Sequence, residues 1–310
     1  MIAVVTGGAG FIGHHLVRRL LERGDEVRVI DDFSSGTRSR LAPFADRIMV
    51  TEGSVLNPRA LDEAFAGTDV VFHQAAIASV QRSLIAPRDT NAVNVSGTIE
   101  VMLAADRHHV RRVVFAGSAA VYGNPRELPC RETDTPAPLS PYGISKLAAE
   151  QYLHALGAVY GIDTTSLRYF NVFGSGQDAA SDYAGVITRF GAAMVQGRRP
   201  VVYGTGGASR DFVHVEDVVD ANLLAADCVG RMRLTCNIGS GCSYSLLELL
   251  EALATALGRS ADPVFGPVRP GDIPHSRADI ELARRVLGYQ VRVPFREGIL
   301  RTVASWWNGP

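Results

Sequence analysis

Tyr142 and Lys146 stand four residues apart in the run Ser140-Pro141-Tyr142-Gly143-Ile144-Ser145-Lys146, and Lys146 is the single lysine of a 310-residue chain that carries thirty arginines. Arginine keeps its proton under physiological conditions and presents a broad planar fork, whereas a lysine ammonium is a compact charge whose pKa follows its surroundings. Residues i and i+4 share one face of a helix, so the two side chains can act on the same point. A phenol near pKa 10 is only about 0.1% ionised at neutral pH; to serve as a base it needs a shift of ~3 units, about 4 kcal/mol, which a neighbouring cation can supply. Ser118 adds a hydroxyl able to hold or pass a proton from a substrate alcohol. Taken singly, Tyr142 equally suits packing at a helix start and Ser118 a strand-end cap. Together they point to proton removal from a hydroxyl.

The elements that must position them alternate short β-rich runs with helical periodicity, the pattern of βαβ units in an α/β fold with a doubly wound parallel sheet. Strands are expected at Ile2–Thr6, Glu26–Asp31, Arg47–Glu52, Asp69–Gln74, Arg112–Ser118 and Asp163–Tyr169, several of them apolar on both faces because helices cover both sides. A helix is expected at Phe11–Arg23, stopped by Gly24, and another after the Asn57-Pro58 cap as far as Ala66. Ser118 then falls at the carboxyl edge of the sheet, and Tyr142 and Lys146 open a helix running to about Tyr160. Beyond residue 170 the alternation fades. Helices at Ala184–Gln196, Glu216–Ala226, Ser245–Leu257 and Ile280–Leu287 belong to a smaller C-terminal lobe that covers the sheet's carboxyl edge. The division expected is 1–170 for the sheet domain, with later contributions from about 200–240, and 171–310 for the smaller lobe.

Thr6-Gly7-Gly8-Ala9-Gly10-Phe11-Ile12-Gly13 lies between the first strand and the first helix. Glycine there permits a tight turn, close approach of a pyrophosphate and close helix–strand packing. The second strand ends in Asp31-Asp32, where an acid can hold adenosine ribose hydroxyls and repel a 2′-phosphate, which favours NAD over NADP. Arg38 and Arg40 follow and weigh the other way.

Apolar residues at 46%, charged residues at 20% and a net charge of -1 describe an ordinary globular chain and argue against a nucleic-acid partner. The groups Arg18-Arg19 and Arg111-Arg112 read as solvated helix faces. Cys130, Cys228, Cys236 and Cys242 have neither metal-ligand nor CxxC spacing and read as free thiols. No apolar run is long enough for a membrane span or a signal segment, so the expectation is a cytoplasmic protein without membrane partners. His14, His15, His108 and His109 read as surface residues, His214 and His275 as structural ones near the cleft, and Trp306 and Trp307 as C-terminal packing. No metal constellation is apparent.

Gly7-x-x-Gly10-x-x-Gly13, Ser118 and Tyr142-x-x-x-Lys146 together resemble the extended short-chain dehydrogenase/reductases, across essentially the whole chain. The runs Phe72-His73-Gln74-Ala75-Ala76, Asn94-Val95-x-Gly97-Thr98, Ser118-Ala119-Ala120-Val121-Tyr122-Gly123, Arg168-Tyr169-Phe170-Asn171-Val172 and Arg210-Asp211-Phe212-Val213-His214-Val215 narrow the likeness to the UDP-glucose (UDP-galactose) 4-epimerases. The resemblance implies a Rossmann-type sheet, tightly held NAD and a UDP-sugar substrate. It implies that Tyr142 removes the proton of the sugar 4-hydroxyl, that Lys146 grips the nicotinamide ribose and depresses the Tyr142 pKa, and that Ser118 hydrogen-bonds the reacting oxygen. A transient 4-keto sugar turns over in the pocket and takes the hydride back on its other face. By the same resemblance Gly7, Gly10, Phe11, Ile12, Gly13, Asp31, Asp32, Ser54, Val55, Gln74, Ala75, Ala76 and Asn94 line the cofactor. Asn171, Val186, Arg210, Arg269, Asp272 and Ser276 line the substrate, and the chain forms a homodimer through the helix starting at Tyr142 and the one near Asn94 to Arg107.

Departures from the family pattern are informative. Related dehydratases and decarboxylases carry acids after the equivalent of Ser118, where this chain has Ala119 and Ala120, so elimination lacks its proton carrier. Ser54 replaces an adenine-contacting Asp and implies a looser NAD. Gln177-Asp178 stands where relatives show Pro-Arg. Ser276 matches a position where a bulky Tyr confines relatives to plain hexoses, so a small residue implies that UDP-GlcNAc and UDP-GalNAc are accepted beside UDP-Glc and UDP-Gal. The other readings are a different NAD-dependent nucleotide-sugar modifier, either specific for another nucleotide or a reductase or dehydratase, and a non-catalytic dinucleotide sensor.

Overall fold

The computed structural model describes residues 1–177, 185–230, 233–268 and 273–307. Arg269, Asp272 and Asp178 lie outside the described residues. Strands β1 (Ile2–Thr6), β2 (Glu26–Asp31), β3 (Ile48–Glu52), β4 (Val70–His73), β5 (Arg112–Ser118) and β6 (Asp163–Tyr169) form one parallel sheet with a later strand, Arg233–Ile238. The spatial order is Arg233–Ile238, β6, β5, β4, β1, β2, β3. The winding therefore reverses between β1 and β4, the place where open α/β sheets bind their ligands.

Alternation along the strands feeds two cores. Ala3, Val5, Val29 and Val114 pack with Leu16 and Leu20 of the helix Phe11–Arg23, while Val4, Ile30, Val71 and Phe115 pack with Leu61, Met102 and Leu153. Each such side chain stabilises the fold by about 1.5–3 kcal/mol when fully buried. A third cluster, including Phe173, Phe190, Phe212, Leu253, Phe295 and Ile299, belongs to the later part of the chain. Its helix Phe295–Trp307 goes beyond the expected packing role of two tryptophans; Phe295, Ile299 and Val303 recur every four residues and are all buried. Among the described residues no helix is long and apolar enough to cross a membrane.

Three expectations need correction. Arg47 ends a 3₁₀ helix, Ala42–Arg47, whose Pro43 favours that turn, so β3 begins one residue later. Arg112 opens β5, as the expected strand Arg112–Ser118 had it, and at 1% exposed it is not the solvated residue that the Arg111-Arg112 pair suggested. Its Nη1 donates to the carbonyls of Ala225, Ala226 and Cys228, and its Nη2 to Gly230 O and Asp163 Oδ2. A buried cation is tolerated there because the end of helix Val215–Asp227 offers carbonyls that lack intrahelical partners. His15 is buried rather than on the surface, its Nε2 2.8 Å from Ser175 O, and the ring of His14 lies 4.1 Å from that of His15.

Candidate active site

Ser118 closes β5, and its Oγ accepts from Ala120 N at 3.1 Å, starting the 3₁₀ turn Ala119–Tyr122. The helix Pro141–Tyr160 is entered through Ser140, whose side chain accepts from Gly143 N at 3.1 Å, with Pro141 at the first helical position. Gly143 lets this helix approach the turn: a Cβ there would stand 2.7 Å from Ala120 O. The Tyr142 and Ser118 side chains are thereby brought within reach of one another. Burial pushes the Tyr142 phenol up, and the Ser118 hydroxyl pulls it partly back.

Lys146 is 3% exposed, and its Nζ donates to Ala116 O at 2.9 Å and sits 4.9 Å from the Phe115 ring centre. Burial pushes the amine down to about 7. Burial and the Ser118 side chain are the two influences resolved on the Tyr142 phenol, and the Lys146 amine is held on the Ala116 carbonyl. Ser118, Tyr142 and Lys146 are thus brought to one strand end.

The connection from β1 to the first helix is a tight glycine turn with the features a dinucleotide pyrophosphate requires. Gly7 has φ +70°, and a Cβ on it would meet Ala75 N at 2.7 Å; Gly13 packs on Gly7 O so closely that no side chain fits. No side chain caps the helix that starts after Gly10, so its first amides are left for another acceptor. Phe11 and Ile12 are half-buried in that first turn. Asp31 is buried, and its carboxylate accepts from Ala9 N at 2.9 Å and Phe33 N at 2.8 Å, while exposed Asp32 accepts from Ser34 N at 2.9 Å. Burial raises the Asp31 pKa and the amides of Phe33 and Ala9 oppose the rise. Asp31 thus secures the glycine turn, and each oxygen keeps a lone pair for another donor.

The arginines that follow are engaged with the protein. Arg38 pairs with Glu52 at 2.6 Å and stacks 4.0 Å over Phe33, and Arg40 donates to Ala9 O and Gly176 O. Ser54 Oγ accepts from Leu56 N at 3.2 Å in the turn that buries Val55. Gln74 Nε2 donates to Tyr169 OH and Asn222 Oδ1, and half-buried Ala75 gives its amide to Thr6 Oγ1 at 3.1 Å, with half-buried Ala76 next in line. Asn94 accepts from Ile77 N and donates to Ile77 O and Ser145 Oγ, tying the loop after β4 to the Tyr142 helix.

On the other wall, the Asn171–Phe173 strand pairs with Phe212–His214 and leaves the Asn171 side chain exposed. Half-buried Arg210 donates to Ser209 O and Pro274 O, and Val186 opens the helix Val186–Val195. Ser276 N donates to Ser209 O, and its buried hydroxyl has no partner among the described residues. His214 caps the helix Val215–Asp227 through Nδ1, as a structural residue would.

Sequence reasoning passed over several residues that shape this site. Thr6 Oγ1 is shared between Ala75 N and His73 Nδ1. Asp211 accepts from Ser240 N, Gly241 N and Ala278 N and so fixes the loops around Ser276. Glu150 and Arg168 form a buried pair that ties the Tyr142 helix to β6. Thr6, Arg168 and Asp211 fall inside the motif runs quoted from the sequence, which was their signal; Glu150, between Ala149 and Gln151, carried none.

Residues 3–239 match the model of the NAD dependent epimerase/dehydratase family. The UDP-glucose 4-epimerase of Mycolicibacterium smegmatis is 39% identical over 317 residues, covering 99% of each chain. The crystal structure of Thermotoga maritima UDP-glucose 4-epimerase with UDP-glucose superposes with a TM-score of 0.95 at 35% identity, covering 99% of both chains. A UDP-N-acetylglucosamine 4-epimerase from Methanobrevibacter ruminantium, in complex with UDP-N-acetylmuramic acid, gives a TM-score of 0.94 at 35% identity over 99% of this chain and 98% of its own.

Proposed function

Because the chain belongs to the NAD dependent epimerase/dehydratase family, we propose that it interconverts UDP-hexoses at C4, with NAD as resident cofactor and no net oxidation. The observation that carries this reading is the approach of the Tyr142 and Ser118 side chains at the carboxyl end of β5, with the glycine turn on the far side of β4. Bound NAD supplies the acceptor that takes hydride from the sugar and returns it, together with a positive charge in its oxidised form. Gly7, Gly10, Gly13 and the first amides of the helix Phe11–Arg23 hold its pyrophosphate, and Asp31 and Asp32 its adenosine ribose. Lys146 holds the nicotinamide ribose and adds a second positive charge when protonated.

Tyr142 takes the proton of the sugar 4-hydroxyl and returns it to the 4-keto oxygen after the sugar has turned over. The raised pKa keeps the phenol protonated at neutral pH until cations lower it, so proton acceptance is confined to the loaded site. Ser118 donates to the reacting oxygen. Asn171 and Arg210 hold the diphosphate, where arginine's fork suits a desolvated anion. Ala119 and Ala120 carry no titratable group, so water is not eliminated from the sugar.

The small Ser276 leaves room for an N-acetyl group, so the substrate range extends to UDP-GlcNAc and UDP-GalNAc. The test is to incubate the purified protein with each UDP-sugar without added NAD and to identify products by NMR. Interconversion of both pairs is expected; no product from any of the four overturns the reading. Ser276→Tyr is expected to abolish N-acetylhexosamine turnover and spare the hexoses.

A homodimer fits an outward stripe on the Tyr142 helix, where Ile144, Tyr152 and Val159 are 56%, 46% and 75% exposed. Four thiols without disulfides fit a cytoplasmic location.

A further inference from the structure

Glu150 lies on the helix Pro141–Tyr160, two turns beyond Tyr142 and one beyond Lys146. Its carboxylate accepts from Arg168 Nε at 3.0 Å and Nη2 at 2.6 Å, and from the Ser166 hydroxyl at 2.7 Å, all within the fold. Arg168 sits on β6, and its remaining nitrogen, Nη1, donates to Tyr122 OH at 2.8 Å. Tyr122 donates in turn to Asn237 Oδ1 at 2.6 Å. Tyr122 closes the turn that starts at Ser118. One guanidinium therefore spans the helix that carries Tyr142 and Lys146 and the turn that carries Ser118.

A buried ion pair is a weak source of stability, since desolvation offsets most of the attraction. A two-pronged arginine–carboxylate contact is directional, however, and fixes both the rotation and the axial position of what it holds. Helical rise puts Tyr142 ~12 Å along the axis from Glu150, so a small tilt at the clamp moves the phenol. Misplacement by about 1 Å can reduce catalysis ~100-fold.

We propose that Arg168 is a positioning residue: its fork on Glu150 and its bond to Tyr122 hold the phenol of Tyr142 and the hydroxyl of Ser118 in register throughout turnover. The proposal rests on the epimerase reading. Wild-type turnover checks that reading, and the ratio of variant to wild type checks this one.

The experiment uses the NAD-loaded enzyme with two variants. Arg168→Lys keeps the charge and loses the fork; Tyr122→Phe keeps the ion pair and loses the hydroxyl link. Four quantities are measured: kcat, KM for UDP-glucose, bound NAD from the 260 nm excess, and the deuterium isotope effect on kcat with substrate labelled at C4. Expected are a ~10- to 100-fold fall in kcat for Arg168→Lys and a ~3- to 10-fold fall for Tyr122→Phe. KM and bound NAD stay within about twofold, and the isotope effect is no smaller than in the wild type. A generalised loss of folded protein would leave the isotope effect unchanged and lower bound NAD in step with kcat. The proposal is overturned if folded variants keep full kcat, or if the loss follows KM or bound NAD. Should Arg168→Lys fail to fold, Tyr122→Phe decides by the same criteria.

Discussion

Tyr142 and Lys146 are both drawn away from their ordinary pKa values by burial, in opposite directions, and the two shifts have separate consequences. Tyr142→Phe removes the proton carrier and leaves the glycine cradle intact. Turnover is expected to fall by ~100-fold or more with NAD still bound, read by NMR assay and the 260 nm excess. Lys146, lowered to about 7, binds fewer protons in the folded than in the unfolded chain between that pH and its ordinary value of 10.5. Stability of protein stripped of NAD therefore rises with pH through that window, and the charged amine is a burden below it. Lys146→Met is expected to raise the thermal midpoint at pH 7 by several degrees, to flatten its rise between pH 7 and 9, and to cut turnover at least ~100-fold. Equal midpoints for the two proteins at pH 7 would mean that the amine carries no burial cost. The i, i+4 spacing made this pair legible in the sequence. The tether to Ala116 was not, because it depends on how far the helix sinks against β5. Glu150 and Arg168 lie 18 residues apart with nothing local to link them, so only the fold reveals their pairing.

At the scale of elements, the helix Pro141–Tyr160 and the turn Ala119–Tyr122 touch where Gly143 meets Ala120 O. Gly143→Ala is expected to push them apart, costing about 1–3 kcal/mol of stability and lowering kcat at least ~10-fold. Urea unfolding and the NMR assay check the two parts. Arg112→Leu would strip the carbonyls at the end of helix Val215–Asp227 of their donor and leave the Asp163 carboxylate without its buried partner. The expected loss, on the order of 3–5 kcal/mol, is measurable by urea unfolding. Strands β1, β2, β5 and β6 and the helix Phe11–Arg23 were legible to the residue: β1 and β5 are mostly apolar, β2 alternates, β6 carries β-branched residues, and the helix repeats its apolar residues at helical spacing before Gly24. The π turn Ala92–Ser96 was not, since it accommodates the contacts of Asn94 with Ile77 and Ser145, which are tertiary. Arg112 was misread because a pair of arginines carries no local mark of the helix end it closes.

At the scale of the whole molecule, the strand Arg233–Ile238 joins the sheet beside β6 after some sixty residues of other structure, a long-range pairing that periodicity does not reveal. The outward stripe of the Tyr142 helix gives the proposed dimer a face near the catalytic end. Light scattering is expected to give a dimer for the wild type and a monomer for Tyr152→Glu, which would set a charge in that face; an unchanged mass would place the contact elsewhere.

The molecule as a whole must let a sugar ring present both faces of C4 to one hydride carrier while its diphosphate stays anchored. The most direct measurement follows the hydrogen on C4: UDP-glucose carrying deuterium there is converted by the purified protein in ordinary water, without added cofactor, and the UDP-galactose is examined by NMR. The account expects the deuterium to be retained at C4 of the product. Its replacement by solvent hydrogen would contradict hydride removal and return, and with it the role assigned to Tyr142, Ser118 and the dinucleotide cradle.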